Sequence, residues 1–249
     1  MLEIVGQTLI ITGAGAGIGQ VLTIGFVGRG AHVVAISRSA QGLEETRSRC
    51  TGPGTVECHV ADVTDALGLE RLFSEIVRQR GSVDLLLNNA AVYPRQLLRD
   101  TTPDEWAYGV ATNFSGVAYG CRAALRTFPP SRPAVILNVG SFAYLGPTPA
   151  STLYCATKAA VSAFTRALAV ELASTGSSLI VNEWILGPYR TRMGIDTGDD
   201  PALAFERLLT VWELSKQGAG GRAFDGIKEV LPPRSRLSRL KSLLLGRRT

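Results

Sequence analysis

Residues 8–20 read TLIITGAGAGIGQ and decide the fold class of this chain. The first five residues are apolar or β-branched, a run typical of a strand that is buried on both faces. Glycine then occupies every second position from Gly13 to Gly19, and a helix-like stretch begins at Ile18. Such a turn lets the backbone approach a pyrophosphate, whose charge is met by unpaired N–H groups and the helix dipole. The stretch predicts a dinucleotide site, with a turn that is merely tight as the alternative.

The alternation of strand and helix continues to about residue 185. Strands are predicted over residues 8–12, 32–37, 55–60, 83–88, 134–139 and 179–184. Helices are predicted over residues 18–29, 43–49, 66–80, 103–128, 151–173 and 202–215. This order indicates repeated βαβ units, and we therefore expect an α/β protein with a parallel sheet covered by helices on both faces.

Composition and charge exclude several classes of protein. With 249 residues, 45% hydrophobic and 19% charged, the chain is not intrinsically disordered. The net charge of +5 is concentrated near the C-terminus, because residues 222–249 hold eight Lys and Arg but two Asp and Glu. The rest of the chain has 18 basic and 19 acidic residues, and this near-neutral body argues against a nucleic-acid partner.

Cysteine and histidine spacing gives no sign of a metal site. The four cysteines, at positions 50, 58, 121 and 155, form no CxxC pair, and the two histidines lack ligands at zinc spacing. Residues 4–28 carry no charge, but seven glycines interrupt the stretch, so we expect neither a membrane span nor a signal peptide. These features favour a cytoplasmic protein with free thiols and no bound metal.

The end of the second predicted strand bears on which dinucleotide binds. NAD-binding proteins usually have an acid there that holds the ribose 2′-hydroxyl. This chain has Ser37 and Arg38 instead, and no carboxylate occurs in residues 32–43. A guanidinium can pair with a 2′-phosphate in forked geometry, so the sequence favours NADP(H) over NAD(H). A solvated Arg38 without a ligand is the alternative.

Tyr154 and Lys158 lie four residues apart near the start of the predicted helix 151–173, so their side chains share one helix face. An ammonium beside a phenol favours the phenolate and moves its pKa from about 10 toward the range of a general acid or base. A Tyr-x-x-x-Lys match is common by chance. Here, however, Ser141 follows the fifth predicted strand, where its hydroxyl can bond the same substrate oxygen.

Taken together, these motifs resemble the short-chain dehydrogenase/reductase family over residues 6 to about 193. The matching residues are the turn 12–19, Asp62 and Val63, Asn88 to Ala90, Asn113, Ser141, Tyr154, Lys158, Gly187 and Thr191. The resemblance implies a Rossmann-like, doubly wound parallel sheet in a single domain, a nicotinamide cofactor and a homo-oligomer, either a dimer or a tetramer.

The resemblance also implies roles for individual residues. The catalytic group is Asn113, Ser141, Tyr154 and Lys158. The cofactor-binding residues, with Ser37 and Arg38 added from the argument above, are Gly13, Gly15, Ala16, Gly17, Ile18, Gly19, Ser37, Arg38, Asp62, Val63, Asn89, Ala90, Tyr154, Lys158, Gly187 and Thr191. Within this set Asp62 and Val63 flank the adenine and Thr191 holds the carboxamide. Asn113 helps to anchor a water that connects Lys158 with solvent.

Aromatic residues gather where family members build the substrate pocket. The expected substrate-binding residues are Ser141, Tyr154, Tyr93, Phe142, Trp184 and Tyr189. We therefore expect an NADP(H)-dependent oxidoreductase that interconverts a carbonyl and a secondary alcohol, with a bulky apolar or aromatic small molecule as substrate. Two alternatives remain: a catalytically silent dinucleotide-binding regulatory or scaffold protein, and a dinucleotide-dependent epimerase or dehydratase.

Three features depart from the family pattern. Ala91 stands where Gly is common, and Leu186 replaces the proline of the usual Pro-Gly pair. The C-terminal third is the weakest match: residues 221–224 only faintly suggest a last strand.

Pro232 and Pro233 divide the chain into an NADP(H)-binding catalytic domain, 1–231, and a basic amphipathic tail, 232–249. Leucines at i, i+3 and i+7 within residues 234–248 predict a helix docked on protein. A frayed tail and contact with an anionic membrane surface are the lower-ranked alternatives.

Overall fold

The computed structural model of the protein describes residues 4–193 and 197–230. The predicted tail and its amphipathic helix lie outside the described residues. The strands are β1 (Thr8–Thr12), β2 (His32–Ser37), β3 (Thr55–Val60), β4 (Leu85–Asn88), β5 (Ala134–Ser141), β6 (Leu179–Leu186), β7 (Ala223–Asp225) and β8 (Lys228–Val230). The α-helices are α1 (Gly17–Gly28), α2 (Ala40–Arg49), α3 (Ala66–Arg80), α4 (Pro103–Val110), α5 (Gly116–Thr127), α6 (Thr152–Thr175) and α7 (Leu203–Lys216).

One eight-stranded sheet runs in the order β3-β2-β1-β4-β5-β6-β7-β8. All neighbouring strands are parallel except β7 and β8, which form an antiparallel pair at one edge. The predicted α/β class, with a Rossmann-like doubly wound sheet, is confirmed. The faint strand signal near residues 221–224 corresponds to β7, and β8 was not predicted.

Two hydrophobic cores lie on opposite faces of the sheet. Helices α1, α2 and α7 cover one face, and α3, α5 and α6 cover the other. On the first face Phe26 of α1 packs edge-on against Phe205 and Trp212 of α7, with ring centroids 5.1 and 5.9 Å apart. Edge-to-face packing of this kind stabilises a core beyond the area it buries. Helix α7 thus covers the same face of the sheet as α1, the helix that follows the glycine turn.

Strand β3 is less buried than strands β1, β2, β4, β5 and β6. Its ends are exposed, and Val60 is 63% accessible. The reason is the strand order, because β3 is an edge strand and only β2 pairs with it.

The predicted single helix over residues 103–128 is wrong in one respect, since a wide π-type turn, Ala111–Ser115, separates α4 from α5. Helix α4 begins with a capping box between Thr102 and Glu105. The wide turn directs the buried Asn113 amide to the backbone of Val92, whose N–H donates to Oδ1 at 2.7 Å and whose carbonyl accepts from Nδ2 at 2.8 Å. Turns of this type often occur at functional sites.

Candidate active site

A cavity of about 810 Å³ opens at the carboxyl ends of the central strands. Segments that follow β1, β2, β3, β4 and β6 line it, together with α6. Most of the predicted cofactor-binding residues line this cavity: Gly13, Gly15, Ala16, Gly17, Ile18, Ser37, Arg38, Val63, Asn89, Ala90, Tyr154, Lys158 and Thr191. Ligands of doubly wound sheets bind at this edge, so the cavity is the candidate active site.

The glycine turn needs its glycines for close packing. Gly13 has a φ of 71°, and a Cβ there would lie 2.9 Å from Ala90 Cα. A Cβ at Gly15 would lie 2.7 Å from Ser37 Oγ. Real Cβ atoms do not approach so closely, so these positions keep the turn pressed against the loops after β2 and β4. Gly19 lies behind the cavity wall, where a Cβ would collide with the Gly13 carbonyl.

The beginning of α1 fits an anionic group. Its N-cap residue, Ala16, offers no side-chain acceptor to the first N–H groups, and the first turn holds no acidic residue. Unpaired N–H groups and the helix dipole favour a negative charge at this point. The turn therefore has the shape and the polarity to bind the pyrophosphate of a dinucleotide.

Thr12 fixes the loop after β4 beside that turn. The Thr12 hydroxyl accepts hydrogen bonds from the N–H groups of Asn89 and Ala90 at 3.0 and 3.1 Å. The Asn89 side chain donates to the Thr12 carbonyl at 2.9 Å. The end of β1 and the loop after β4 are thus hydrogen-bonded to each other beside the cavity.

Arg38 lies at the rim of the cavity with several partners. Its guanidinium is 3.8 Å from the Asp62 carboxylate and 5.2 Å from the centroid of the Tyr108 ring, and its side chain is 49% exposed. Asp62 lies outside the cavity lining, and its Oδ1 accepts from the N–H and hydroxyl of Thr64, both at 2.9 Å. Asp62 was expected beside the adenine and Arg38 beside the ribose. In the structure these two side chains contact each other. Glu45 also lines this end of the cavity and lies 3.8 Å from Arg49.

Lys158 is a buried cation on α6. It is 1% exposed, and its Nζ donates to the Val139 carbonyl on β5 at 2.7 Å. The ammonium lies 5.6 Å from the centroid of the Tyr154 ring. Burial lowers the pKa of Lys158 to about 8, and the charge of Glu183 opposes part of that fall. Lys158 and Tyr154 therefore lie together at the cavity, as their spacing indicated.

Tyr154 behaves differently from the sequence-based expectation of a lowered pKa. Burial raises the pKa of its phenol, and a hydrogen bond with Ser141 opposes part of the rise. Desolvation is the largest cause of the shift, because the buried phenol is removed from water. Ser141 ends β5, and its hydroxyl also accepts from the Ala143 N–H at 3.2 Å.

Tyr93 stacks on Tyr154, with ring centroids 4.4 Å apart and an interplanar angle of 17°. The Arg95 guanidinium lies 5.2 Å from the centroid of the Tyr93 ring and donates to the Met193 carbonyl at 3.0 Å. Tyr93 and Met193 both line the cavity. The stack therefore connects the loop after β4 with the segment after β6 across the cavity mouth.

The Asn113 side chain contacts the loop after β4, while its role in anchoring a water stays a prediction. The side chain is fully buried and bonds the Val92 backbone and the Thr157 hydroxyl, at 3.2 Å in the latter case. Its amide groups are directed at the loop after β4 and not at Lys158. Asn113 therefore positions that loop.

Two of the predicted substrate-binding residues belong to the core. Trp184 is fully buried, and its indole N–H donates to the Gly226 carbonyl at 3.2 Å. Tyr189 is 4% exposed, and its hydroxyl accepts from Arg207 at 3.0 Å. Both pack in the core beneath α7, so their assignment to the substrate pocket is wrong.

The remaining predicted residues lie near the cavity without lining it. Phe142 is half-buried in the 3₁₀ turn Phe142–Tyr144, directly after Ser141. Gly187 follows Leu186, which does line the cavity. Further lining residues that sequence analysis did not assign to the site are Gln41, Glu45, Ala91, Val92, Pro94, Glu105, Tyr108, Thr112, Leu186, Arg192 and Met193. For several of them, a position shortly after the end of a predicted strand was the sequence feature that could have indicated a place in the site.

Comparison with known proteins agrees with this geometry. Residues 7–202 match the family model for short chain dehydrogenase, and the chain belongs to the short-chain dehydrogenase/reductase family of oxidoreductases. Members of this family use nicotinamide dinucleotide cofactors and act on small molecules.

Individual relatives agree with that assignment. The chain is 32% identical over 176 residues to a 3-oxoacyl-(acyl-carrier-protein) reductase of Haemophilus influenzae, covering 71% of this chain and 72% of that protein. It is 32% identical over 212 residues to 3beta-hydroxysteroid dehydrogenase 1 of Eggerthella lenta, covering 83% and 80%. A solved short-chain dehydrogenase/reductase from Brucella melitensis shares the fold, with a TM-score of 0.79, 23% identity and coverage of 90% and 96%.

Helix length and the grouping of possible metal ligands bear on other classes of function. No helix in the described part of the chain combines the length and apolar character needed to cross a membrane. Residues 4–193 and 197–230 also bring together no group of three or more His, Cys, Asp or Glu side chains suited to a metal ion.

Proposed function

We propose that this protein is an NADP(H)-dependent oxidoreductase that interconverts a carbonyl and a secondary alcohol on a bulky apolar or aromatic substrate. The observation that carries the proposal is the common cavity of the glycine turn, Tyr154 and Lys158. The uncapped end of α1 would hold the pyrophosphate of a dinucleotide, in the same cavity as the Tyr154 phenol. Cofactor and acid–base groups then act on one substrate.

Tyr154, Ser141 and Lys158 each have a separate role in the reaction. A nicotinamide dinucleotide supplies or takes up the hydride when it is bound. Tyr154 donates its phenolic proton to the carbonyl oxygen in reduction and accepts it back in oxidation. Ser141, already hydrogen-bonded to Tyr154, orients the same oxygen. The Lys158 ammonium stabilises the negative charge that develops on the phenol oxygen when the proton leaves.

The preference for NADP(H) is supported by the polar groups at the end of β2. Ser37, Arg38 and Ser39 line the cavity, and none of them repels a 2′-phosphate. Arg38 can turn from its 3.8 Å contact with Asp62 to a phosphate, since half of its side chain is exposed. A bidentate contact with phosphate is stronger than this long ion pair.

The substrate class is supported by the apolar wall of the cavity. Tyr93, Val92, Leu186 and Met193 line it, and flat or aliphatic groups bury well against such side chains. Arg192 lines the same end and offers a positive charge to an anionic group. The two relatives are named for a 3-oxoacyl-(acyl-carrier-protein) and a 3beta-hydroxysteroid, both large compounds.

Three further expectations accompany the proposal. We propose a cytoplasmic protein that forms a homo-oligomer, as family members commonly do. Its catalytic domain spans 1–231, with 232–249 as an appendage.

The test is a panel of carbonyl compounds assayed with NADPH and with NADH. Aromatic, long-chain and steroid ketones should be reduced with NADPH, and small polyols should not be oxidised. Tyr154→Phe serves as the matched inactive variant. Binding of NADPH without turnover of any compound would favour a regulatory or scaffold protein, and faster reaction with small polyols would contradict the substrate class.

A further inference from the structure

Glu183 is a buried carboxylic acid that the proposed mechanism does not use. It lies on β6 and is 2% exposed. Its register partners on β5 and β7 are Asn138 and Ala223, which are both neutral. One carboxylate oxygen, Oε1, is buried and has no hydrogen-bond partner. A carboxylate in such a place is costly unless a neighbouring charge compensates it, so its surroundings are informative.

The chain makes room for this carboxylate at Gly140 of β5. A Cβ on Gly140 would collide with Glu183 Oε1 and would lie 2.8 Å from both Cγ and Cδ. Gly140 directly follows Val139, whose carbonyl accepts the hydrogen bond from Lys158 Nζ at 2.7 Å. The carboxylate and the ammonium therefore lie against successive residues of one strand, underneath α6.

Three polar groups of α6 face the carboxylate: Lys158, Ser162 and Arg166. The Ser162 hydroxyl hydrogen-bonds to it, and that hydroxyl also lies 3.4 Å from the hydroxyl of Tyr144. Burial raises the pKa of the Glu183 carboxyl, while the Ser162 bond and the charges of Arg166 and Lys158 oppose the rise. Arg166 is exposed, so water screens its charge, whereas Lys158 is 1% exposed.

We propose that Glu183 is a positioning residue of the active site, whose carboxylate keeps the proton on the buried Lys158 ammonium. The inference rests on the proposed function, in which Lys158 assists Tyr154. The Val139 carbonyl binds one proton of the ammonium but carries no net charge. A buried cation needs a compensating anion, and Glu183 is the carboxylate whose charge acts on Lys158.

The proposal predicts a shift that can be measured directly. Burial lowers the pKa of Lys158 to about 8, and the Glu183 charge opposes that fall. Glu183→Gln keeps the shape of the side chain and removes the charge, so the pKa of Lys158 should fall by about one further unit. Activity that depends on the ammonium should then be lost at a correspondingly lower pH.

The measurement is an NMR titration of lysine side chains labelled with ¹³C at Cε. The chain has only four lysines, so the Lys158 signal is identified by its absence in Lys158→Met. Glu171→Gln, at an exposed position of the same helix, is the control and should leave the Lys158 pKa unchanged. An unchanged pKa of Lys158 in folded Glu183→Gln would overturn the proposal.

A second variant covers the case in which Glu183→Gln does not fold. Ser162→Ala removes the hydrogen bond that favours the Glu183 carboxylate, so it should also lower the Lys158 pKa, by less than the Gln variant. No shift in Ser162→Ala would count against the proposal.

Failure of the proposed function gives a different result. In that case the unchanged protein would turn over no compound of the panel, although the NMR shift in Glu183→Gln would still occur. A shifted Lys158 pKa with an unshifted pH profile of activity would refute the link to catalysis alone.

Discussion

Tyr154 and Lys158 share one helix face, but burial changes their proton affinities in opposite directions. It raises the pKa of the phenol and lowers the pKa of the ammonium to about 8. At neutral pH the phenol therefore holds its proton, which is the form that can protonate a carbonyl oxygen. Lys158 is then mostly charged and can stabilise the phenolate that results.

Tyr154→Phe should reduce turnover by at least about a hundredfold, because it removes the proton donor and little else. Steady-state kinetics with the best ketone of the panel measures the loss, and fluorescence titration of NADPH should show nearly unchanged affinity. Tyr119→Phe, on α5 and away from the cavity lining, is the matched control and should retain activity. Substantial activity in Tyr154→Phe would contradict the mechanism.

Arg38→Ala should narrow the difference between NADPH and NADH binding by about 1–3 kcal/mol, the range for a charge-assisted contact. Titration of both nucleotides measures the two affinities. Arg47→Ala removes an exposed arginine of α2 that pairs with Glu44, so it should leave the preference unchanged. Equal affinities for the two nucleotides in the unchanged protein would refute the NADP(H) assignment.

Single residues differ in how well the sequence predicts their surroundings. Tyr154 and Lys158 could be placed together because four-residue spacing on a helix fixes a shared face. Trp184 could not be placed, since alternation in a strand says which residues share a face but not which face meets the cavity. Its burial under α7 depends on the packing of Phe26 and Trp212, which lie far away in sequence.

At the scale of elements, the wide turn between α4 and α5 links a helix to the cavity wall. Periodicity over residues 103–128 predicts one continuous helix, because an inserted residue changes the pattern too little to be seen. The insertion is explained by tertiary contacts: Asn113 bonds both backbone groups of Val92, which lines the cavity. Strands β1 to β6, by contrast, were predictable because largely apolar runs mark the strands of a parallel sheet.

Asn113→Ala should destabilise the protein by about 1–3 kcal/mol, because it leaves the half-buried Val92 backbone groups without their Asn113 partner. Denaturant unfolding measures the loss, and the Kd for NADPH should rise as the loop after β4 becomes less ordered. Ser74→Ala is the control, since that exposed hydroxyl of α3 bonds only the Glu70 carbonyl one turn earlier. Unchanged stability and affinity in Asn113→Ala would show that the loop is held in another way.

For the whole molecule, the strand order determines where chemistry can occur. The chain leaves β1 toward β2 and β3 on one side and returns to β4 on the other. The helices after β1 and β4 thus diverge to opposite faces and leave a crevice at the carboxyl ends of these strands. This crevice could be predicted from the order of motifs along the chain. The burial of Lys158, which affects the stability of the protein, could not be predicted from the sequence.

Lys158 should make the stability of the whole protein depend on pH. Its pKa is about 8 in the folded state and 10.5 without burial, so between these values the unfolded chain binds more protons at this site. The Lys158 contribution to the free energy of unfolding therefore rises with pH across this window, by up to about 1.4 kcal/mol per unit. Below about pH 8 the cost of burying the charge is present in full.

Lys158→Met should abolish that rise, because a Met side chain binds no proton in either the folded or the unfolded state. Urea unfolding at pH 7 and pH 10 measures the rise in each protein, and the difference between the two proteins isolates the Lys158 contribution. Lys228→Met, at an exposed position, is the control and should follow the unchanged protein. Activity should fall as the pH rises through about 8, where the Lys158 contribution to stability begins to rise, since catalysis uses the ammonium whose burial opposes folding. Parallel stability curves for Lys158→Met and Lys228→Met would show that Lys158 is not charged when buried.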